Sequence, residues 1–381
     1  MPQQAPQIPS YPGRIASLEA LRGIAALVVV VWHTMLAFAP QTSGIFVQFP
    51  AQDAYTGSFL FVLMNGNGAV NVFFVLSGFV LSRRFFLDYD RSFIVKNALR
   101  RYPRLALPVL ASVIVSYLLF HFGSYHFFEA AKISGSPWLA KFGYAYDTPF
   151  QPSFWEALKQ GAFLTFFRGD ASYNSSLWTM KFEFFGSFLI FGSCLLLAEV
   201  RALKRTTLIY LFVTIALMAW YASPWYIAFI AGLFIAATMP QGGWHIVDSL
   251  PVYAKGLLAL LSLYLLGFSQ AHGIYEVLAK ANVIVINVIG STILVTLLAN
   301  VHMRGKFLSL AQFLGALSFP LYLIHIPILF SLVCWVYLKS VSIGIFALVW
   351  MIPFALIVST IAALPLILIN QHWLRFLNAK L

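Results

Sequence analysis

Long apolar runs, broken by short polar stretches, dominate this chain. A membrane-spanning helix needs about 20 largely apolar residues. Ten runs approach that length, over 17–39, 66–87, 105–122, 176–198, 207–222, 224–239, 253–270, 281–301, 315–338 and 343–369. The pattern predicts an all-α polytopic membrane protein built as a bundle of about ten transmembrane helices. The fifth and sixth runs are short and meet near Pro224, which suits either a hairpin or one broken helix. Two connections, 40–65 and 123–175, are long for a bundle. Within the second, 153–167 reads as an amphipathic helix lying on the membrane surface. The expected organisation is an N-terminal tail (1–14), a membrane domain (15–372) and a C-terminal tail (373–381), with no internal repeat.

Composition removes the alternatives to this reading. Hydrophobic residues make up 61% of the 381 positions and charged residues only 9%, too few to coat a soluble surface. A cytosolic enzyme, a disordered chain and a disulfide-rich secreted domain are excluded. Cys194 and Cys334 lie in separate apolar runs without metal-ligand spacing and read as packing residues. The Pro- and Gln-rich start does not have the pattern of a cleavable signal peptide, so the first apolar helix is expected to act as the targeting signal.

The net charge of +12 raises the question of nucleic acid, but excess Lys and Arg also mark the cytoplasmic loops of a polytopic protein. With both termini cytoplasmic, 17 of the 24 Lys and Arg fall on the inner side and 6 on the outer, with Lys181 inside a helix. That asymmetry supports the orientation and removes the need for a nucleic-acid partner; membrane lipids are the surroundings instead.

Charged groups in hydrocarbon are costly and usually face a protein interior or a cavity. The first helix, SLEALRGIAALVVVVWHTMLAF, carries Glu19, Arg22 and His33. At about 100° per residue, Arg22 and His33 differ by about 20° around the axis, and Glu19 and His33 by about 40°. All three share one stripe, with Arg22 and His33 about 16 Å apart along it. This suits an elongated ligand with its anionic end at Arg22 and its reactive end at His33; a snorkelling Arg and a structural His remain the alternative. The second helix, GNGAVNVFFVLSGFVLSRRFF, holds Gly66, Gly68, Ser77 and Gly78, small residues that allow close packing or leave backbone free for a ligand. The stretch KNALRRYPRLALP then brings Arg100, Arg101 and Arg104, either a topology anchor or a phosphate grip, with Pro103 able to turn the chain there. In SLWTMKFEFF, Trp178, Lys181 and Glu183 open the fourth helix, and Glu183 either pairs with a basic residue of another helix or lines the His33 cavity. In GALSFPLYLIHIPILF, Tyr322 and His325 share a face, and Pro327 loosens the helix around them. No metal site and no nucleophile elbow is expected.

Five pieces, LEALRGIAALVVVVWH, GNGAVNVFFVLSGFVLS, RRYPRLALP, SLWTMKFEFF and ALSFPLYLIHIPI, resemble in content and order the acyltransferase-3 family of integral-membrane acyltransferases, over residues 15 to 370. The resemblance implies a multi-pass protein of the bacterial inner membrane that moves an acyl group, often acetyl, from cytoplasmic acyl-CoA to a hydroxyl of a carbohydrate, such as an exopolysaccharide or its lipid-linked precursor. The family's helix-one Arg and His fall on Arg22 and His33, its R-x-x-R on Arg101 and Arg104, and its W-x4-E on Trp178 and Glu183. Lys181 and the spelling Gly66-Asn67-Gly68-Ala69-Val70 depart from the pattern.

On this reading His33, Glu183 and Glu19 are the catalytic set. His33 is the general base, and Glu19 or Glu183 holds its tautomer. Direct transfer and transfer relayed through an acyl-imidazole both fit. The donor contacts are Arg22, Arg100, Arg101, Arg104, Ser77, Trp178 and Lys181, and Tyr322 and His325 line the cavity or the acceptor site. No cofactor is held permanently; acyl-CoA is a cosubstrate. The rival classes are a transporter of a small anionic solute, which lacks the repeated halves expected of a carrier, and a non-catalytic scaffold.

Overall fold

The computed structural model describes residues 15–46, 55–141, 144–145, 148–149, 151–200, 204–238, 247–344 and 348–380. They form helices almost throughout, apart from a two-residue antiparallel pairing of Tyr144–Ala145 with Thr148–Pro149. The long elements are α1 (Ala16–Phe38), α2 (Gly66–Asp88) and α3 (Arg91–His121). The short helices α4 (Phe127–Ser134), α5 (Pro137–Lys141) and α6 (Phe154–Lys159) lie in the long connection before α7 (Thr179–Glu199). Then come α8 (Arg205–Ala222), α9 (Tyr226–Thr238), α10 (Val252–Gly267) and α11 (Val283–Leu298). The chain closes with α12 (Gly305–Ser342), which contains a π-turn at Leu329–Val333, and α13 (Leu348–Lys380). Six of these helices are long and apolar enough to cross a membrane: α1, α2, α3, α7 with its leading turn, α12 and α13. The others among the apolar helices, α8 to α11, are shorter.

Local sequence sets several of the helix starts. Asn65 caps α2 by accepting from the Gly68 amide at 3.2 Å, and Asp90 caps α3 by accepting from the Ser92 amide at 2.9 Å. Asn282 does the same for α11, accepting from the amides of Ile284 and Val285. Close packing depends on reciprocal glycines. Gly78 of α2 sits against the Phe229 carbonyl of α9, and Gly232 of α9 against the Val75 carbonyl of α2, so a Cβ on either would collide with backbone. The short run after Pro224 is a hairpin partner rather than a broken helix: α8 and α9 lie side by side, with Phe212 against Phe234.

Three boundaries differ from the pattern-based expectation. The third helix begins at Arg91 rather than 105 and passes straight through Pro103 and Pro108, so RRYPR is helix and not a turn. The ninth begins at Gly305 rather than 315. The last helix runs to Lys380, so residues 373–380, expected as a tail, are helical; 1–14 and 381 lie outside the described residues. In each case the apolar run is shorter than the helix, because a search for apolar length ignores polar turns beyond the hydrocarbon. At 1.5 Å per residue, the 33 residues of α13 extend about 50 Å, against a hydrocarbon layer of about 30 Å. The surplus turns of α3 and α13 gather at the end where α1 begins, and form the walls of the site.

Candidate functional site

Helices α1 and α12 run side by side and in the same direction. Near their starts, Arg22 donates to the Glu19 carboxylate at 2.6 Å and to the Gly315 carbonyl at 3.1 Å. Gly315 has no room for a side chain because Glu19 fills the space. Further along the pair, His33 Nδ1 and His325 Nε2 lie 3.0 Å apart. His325 is 1% exposed, and its Nδ1 sits 3.1 Å from the Leu321 carbonyl.

For two neutral rings, these contacts set the tautomers. A carbonyl only accepts, so His325 Nδ1 carries the proton facing Leu321 and its Nε2 is bare. That bare nitrogen accepts from His33 Nδ1–H, which leaves the lone pair of His33 on Nε2. One face of His33 stacks on Trp138 of α5, with ring centroids 5.0 Å apart and planes 18° apart.

Pro327 explains why α12 is held firmly at this level. Proline has no N–H, so the Leu323 carbonyl four residues earlier loses its helical donor. The Ser112 hydroxyl of α3 and the Asn174 carboxamide each donate to it at 2.7 Å, and Asn174 also donates to Ser112 at 2.9 Å. One turn back, the Tyr322 hydroxyl meets Thr179 Oγ1 at 2.7 Å.

The second charged constellation joins α2, α3 and α7. Arg101, only 6% exposed, pairs with the Glu183 carboxylate, and Ser77 donates to the same oxygen at 2.7 Å. Around this pair lie two adjoining spaces. An inner cavity of about 210 Å³ is lined by Arg22, Phe73, Ser77, Thr179 and Tyr322 among others. An outer basin of about 760 Å³ carries Arg83, Arg84, Arg100, Arg101 and Arg104. Val80, Leu81, Arg101, Arg104 and Leu374 line both, so the basin and the cavity adjoin.

Of the residues expected at the site, Glu19, Arg22, Ser77, Arg101, Arg104, Glu183 and Tyr322 line the inner cavity and Arg100 the basin. His33, His325, Trp178 and Lys181 line neither. Trp178 packs on Trp225 in an aromatic cluster, and the Lys181 stem lies beside Gly169. Neither of these two spaces therefore provides the expected continuous passage from Arg22 to His33. The cavity stops at Tyr322, whose ring centroid is 5.9 Å from that of His325. Neither Glu19 nor Glu183 holds the His33 imidazole; each is engaged by an arginine, and His325 takes the role expected of them. The sequence reading did not single out Phe73, Ser112, Asn174 or the C-terminal residues Asn370, Gln371 and Leu374. The last three have a visible signature: with Ile367 they form an i, i+3, i+4, i+7 stripe.

Fold and site together define a polytopic α-helical membrane protein in which an arginine-lined basin and the cavity beside it lie on the same helices as a histidine pair, one ring of which is buried. The chain belongs to the acyltransferase-3 family: the family model described as an acyltransferase domain matches residues 15–368. No curated protein and no solved structure shows a match.

Proposed function

We propose that this chain is a membrane O-acyltransferase that takes an acyl group, acetyl in the simplest case, from acyl-CoA and delivers it to a hydroxyl of a carbohydrate or lipid-linked saccharide. The arginine end, where α1 begins and α13 ends, and both termini face the cytoplasm, the chain crosses the membrane ten times, and the protein resides in a bacterial inner membrane. The observation that carries this reading is the juxtaposition of a five-arginine basin and an apolar cavity with an imidazole pair one ring beyond the cavity's end. Guanidinium groups bind phosphates through paired hydrogen bonds, which suits the polyanionic nucleotide of the donor. The apolar cavity suits its slender arm.

In the transfer, His33 Nε2 takes the proton of the acceptor hydroxyl as the oxygen attacks the thioester carbonyl. The carbon–sulfur bond breaks, and the leaving thiolate takes that proton from the imidazolium. The products are an ester and free coenzyme A. His325 positions His33 and does not touch the reacting atoms. Tyr322 and Phe73, edge to face at 6.0 Å, close the inner end of the cavity and must turn aside for the thioester to meet His33. Trp138 covers the opposite side, where a saccharide approaches.

The test is His33→Ala in membranes supplied with labelled acetyl-CoA. Loss of label transfer with unchanged coenzyme A binding supports the reading. Retained transfer removes His33 from the chemistry, and accumulation of an unmodified anionic solute in proteoliposomes would replace the enzyme with a carrier.

A further inference from the structure

Most polar side chains of the inner cavity hold one another, although Arg22 Nε and Arg101 Nε are buried without a hydrogen-bond partner among the described residues. Glu19 holds Arg22, Ser77 and Arg101 hold Glu183, Thr179 meets Tyr322, and Ser318 donates to the Gly315 carbonyl. Two lining side chains differ. Asn370 and Gln371, half-buried on α13, make no hydrogen bond to any described residue. Each presents a carboxamide, with both a donor and an acceptor, to an otherwise largely apolar space.

Their placement follows from helix geometry. Ile367, Asn370, Gln371 and Leu374 occupy one face and line the inner cavity. The same face continues with Leu377 and Asn378, which line the basin. From Ile367 to Asn378 the face extends about 16 Å. It is pinned to the arginine helix at two points: Trp373 Nε1–H donates to the Pro103 carbonyl at 2.7 Å, and Arg100 donates to Asn378 Oδ1 at 3.2 Å. The residues matched by the family model end at 368, so this wall after Ile367 lies beyond them.

We infer that the C-terminal helix is part of the donor site and that Asn370 and Gln371 bind an extended, amide-bearing chain. A phosphopantetheine arm has that chemistry: two secondary amides on a slender apolar backbone, attached to a nucleotide polyphosphate. The arginines of the basin hold the phosphates, and the two carboxamides hydrogen-bond the amides further in. The inference rests on the donor reading above. It adds a division of labour between charge at the basin and amide recognition along α13.

The experiment measures equilibrium binding to the purified full-length protein in detergent, by titration calorimetry. The two probes are coenzyme A and its nucleotide half, adenosine 3′,5′-bisphosphate. Asn370→Leu and Gln371→Met remove the amide chemistry at similar volume, singly and together. The expected result is that wild type binds coenzyme A more tightly than the bisphosphate. Each single variant weakens coenzyme A about tenfold, the loss of one or two hydrogen bonds, and leaves bisphosphate affinity unchanged. That unchanged affinity also shows that the variant is folded, and the single variants carry the test if the double variant does not fold. Variants that keep the wild-type ratio between the probes overturn the inference, as do variants that weaken both probes equally. Wild-type protein that binds both probes equally overturns the inference and leaves the donor reading standing. Wild-type protein that binds neither overturns both.

Discussion

The Arg101–Glu183 pair separates a charge kept for assembly from one kept for chemistry. Arg101 and Glu183 have side chains 7% and 15% exposed, and they tie α3 to α7 while Ser77 brings in α2. Glu183→Gln keeps the shape of the side chain and removes its charge, which strands a guanidinium out of water. Breaking a buried pair by removing one partner costs about 3–5 kcal/mol. Replacing both with apolar residues of similar volume costs far less, because no uncompensated charge remains. Glu183→Gln, Glu183→Met and Arg101→Met should each lower the unfolding free energy by about 3 kcal/mol or more, and the double variant Arg101→Met with Glu183→Met should recover at least about 2 kcal/mol relative to the sum of its own two single variants. The assay is reversible denaturant unfolding in mixed micelles, or the retained monodisperse fraction after stepped heating where unfolding is irreversible. If Glu183→Gln unfolds within about 1 kcal/mol of wild type, the charge pair is not what holds these helices together, and the reasoning from burial fails.

Three further outcomes are expected. His325→Phe removes the acceptor that orients His33, so the turnover rate should fall between about tenfold and a hundredfold while the KM for acetyl-CoA stays constant, as measured by label transfer in membranes; a KM change without a rate change would place His325 in binding instead. Asn174→Ala leaves the Leu323 carbonyl with Ser112 alone beside Pro327 and should destabilise the protein by about 1–3 kcal/mol, read from the same unfolding assay. Asp90, the cap of α3, has its carboxyl held below the usual carboxylate range by hydrogen bonds from Ser92. Its contribution is complete above the ordinary carboxylate pKa, near 3.9, and is lost as pH falls through the lowered value. Asn at that position caps without titrating, so the gap in melting temperature between wild type and Asp90→Asn should narrow from pH 5 to pH 3; parallel curves would contradict the assignment.

Apolar length made the helices legible because hydrocarbon imposes a length on what crosses it. The same rule hid the starts of α3 and α12 and the end of α13, where helix continues past the hydrocarbon on capping and tertiary contacts. The stretch 153–167 was legible as a helix from its residue spacing rather than from apolar length. It forms α6, a π-turn over Gln160–Leu164 and a last turn at Thr165–Phe167, with Trp155 and Phe163 outward and Ala157 and Phe166 inward. The stripe of Glu19, Arg22 and His33 was legible because it lies on one helix. Partner choice was not. Whether Glu183 meets His33 or Arg101 depends on how α7 rotates against α3 and α1, and that is decided by packing of residues such as Gly186 against Phe229. His325 and Pro327 were visible, but the donors that make the broken turn tolerable, Ser112 and Asn174, come from distant parts of the chain.

The interruption at Tyr322 has a physical consequence for thioester chemistry. A cavity open from a phosphate-binding basin to a basic imidazole would expose a bound thioester to the same base that activates the acceptor, and any water following the donor inward would be acylated in its place. On the proposed reading, a ring between the cavity and the imidazole lets donor and base be held separately. The Tyr322 hydroxyl is held by Thr179 on α7, the helix that also carries Glu183. A shift of α7 on filling of the arginine basin would therefore act on the Glu183 pair and on the Tyr322 ring together. Were α7 to shift in that way, truncated donors without the nucleotide would be transferred more slowly than their loss of affinity alone accounts for.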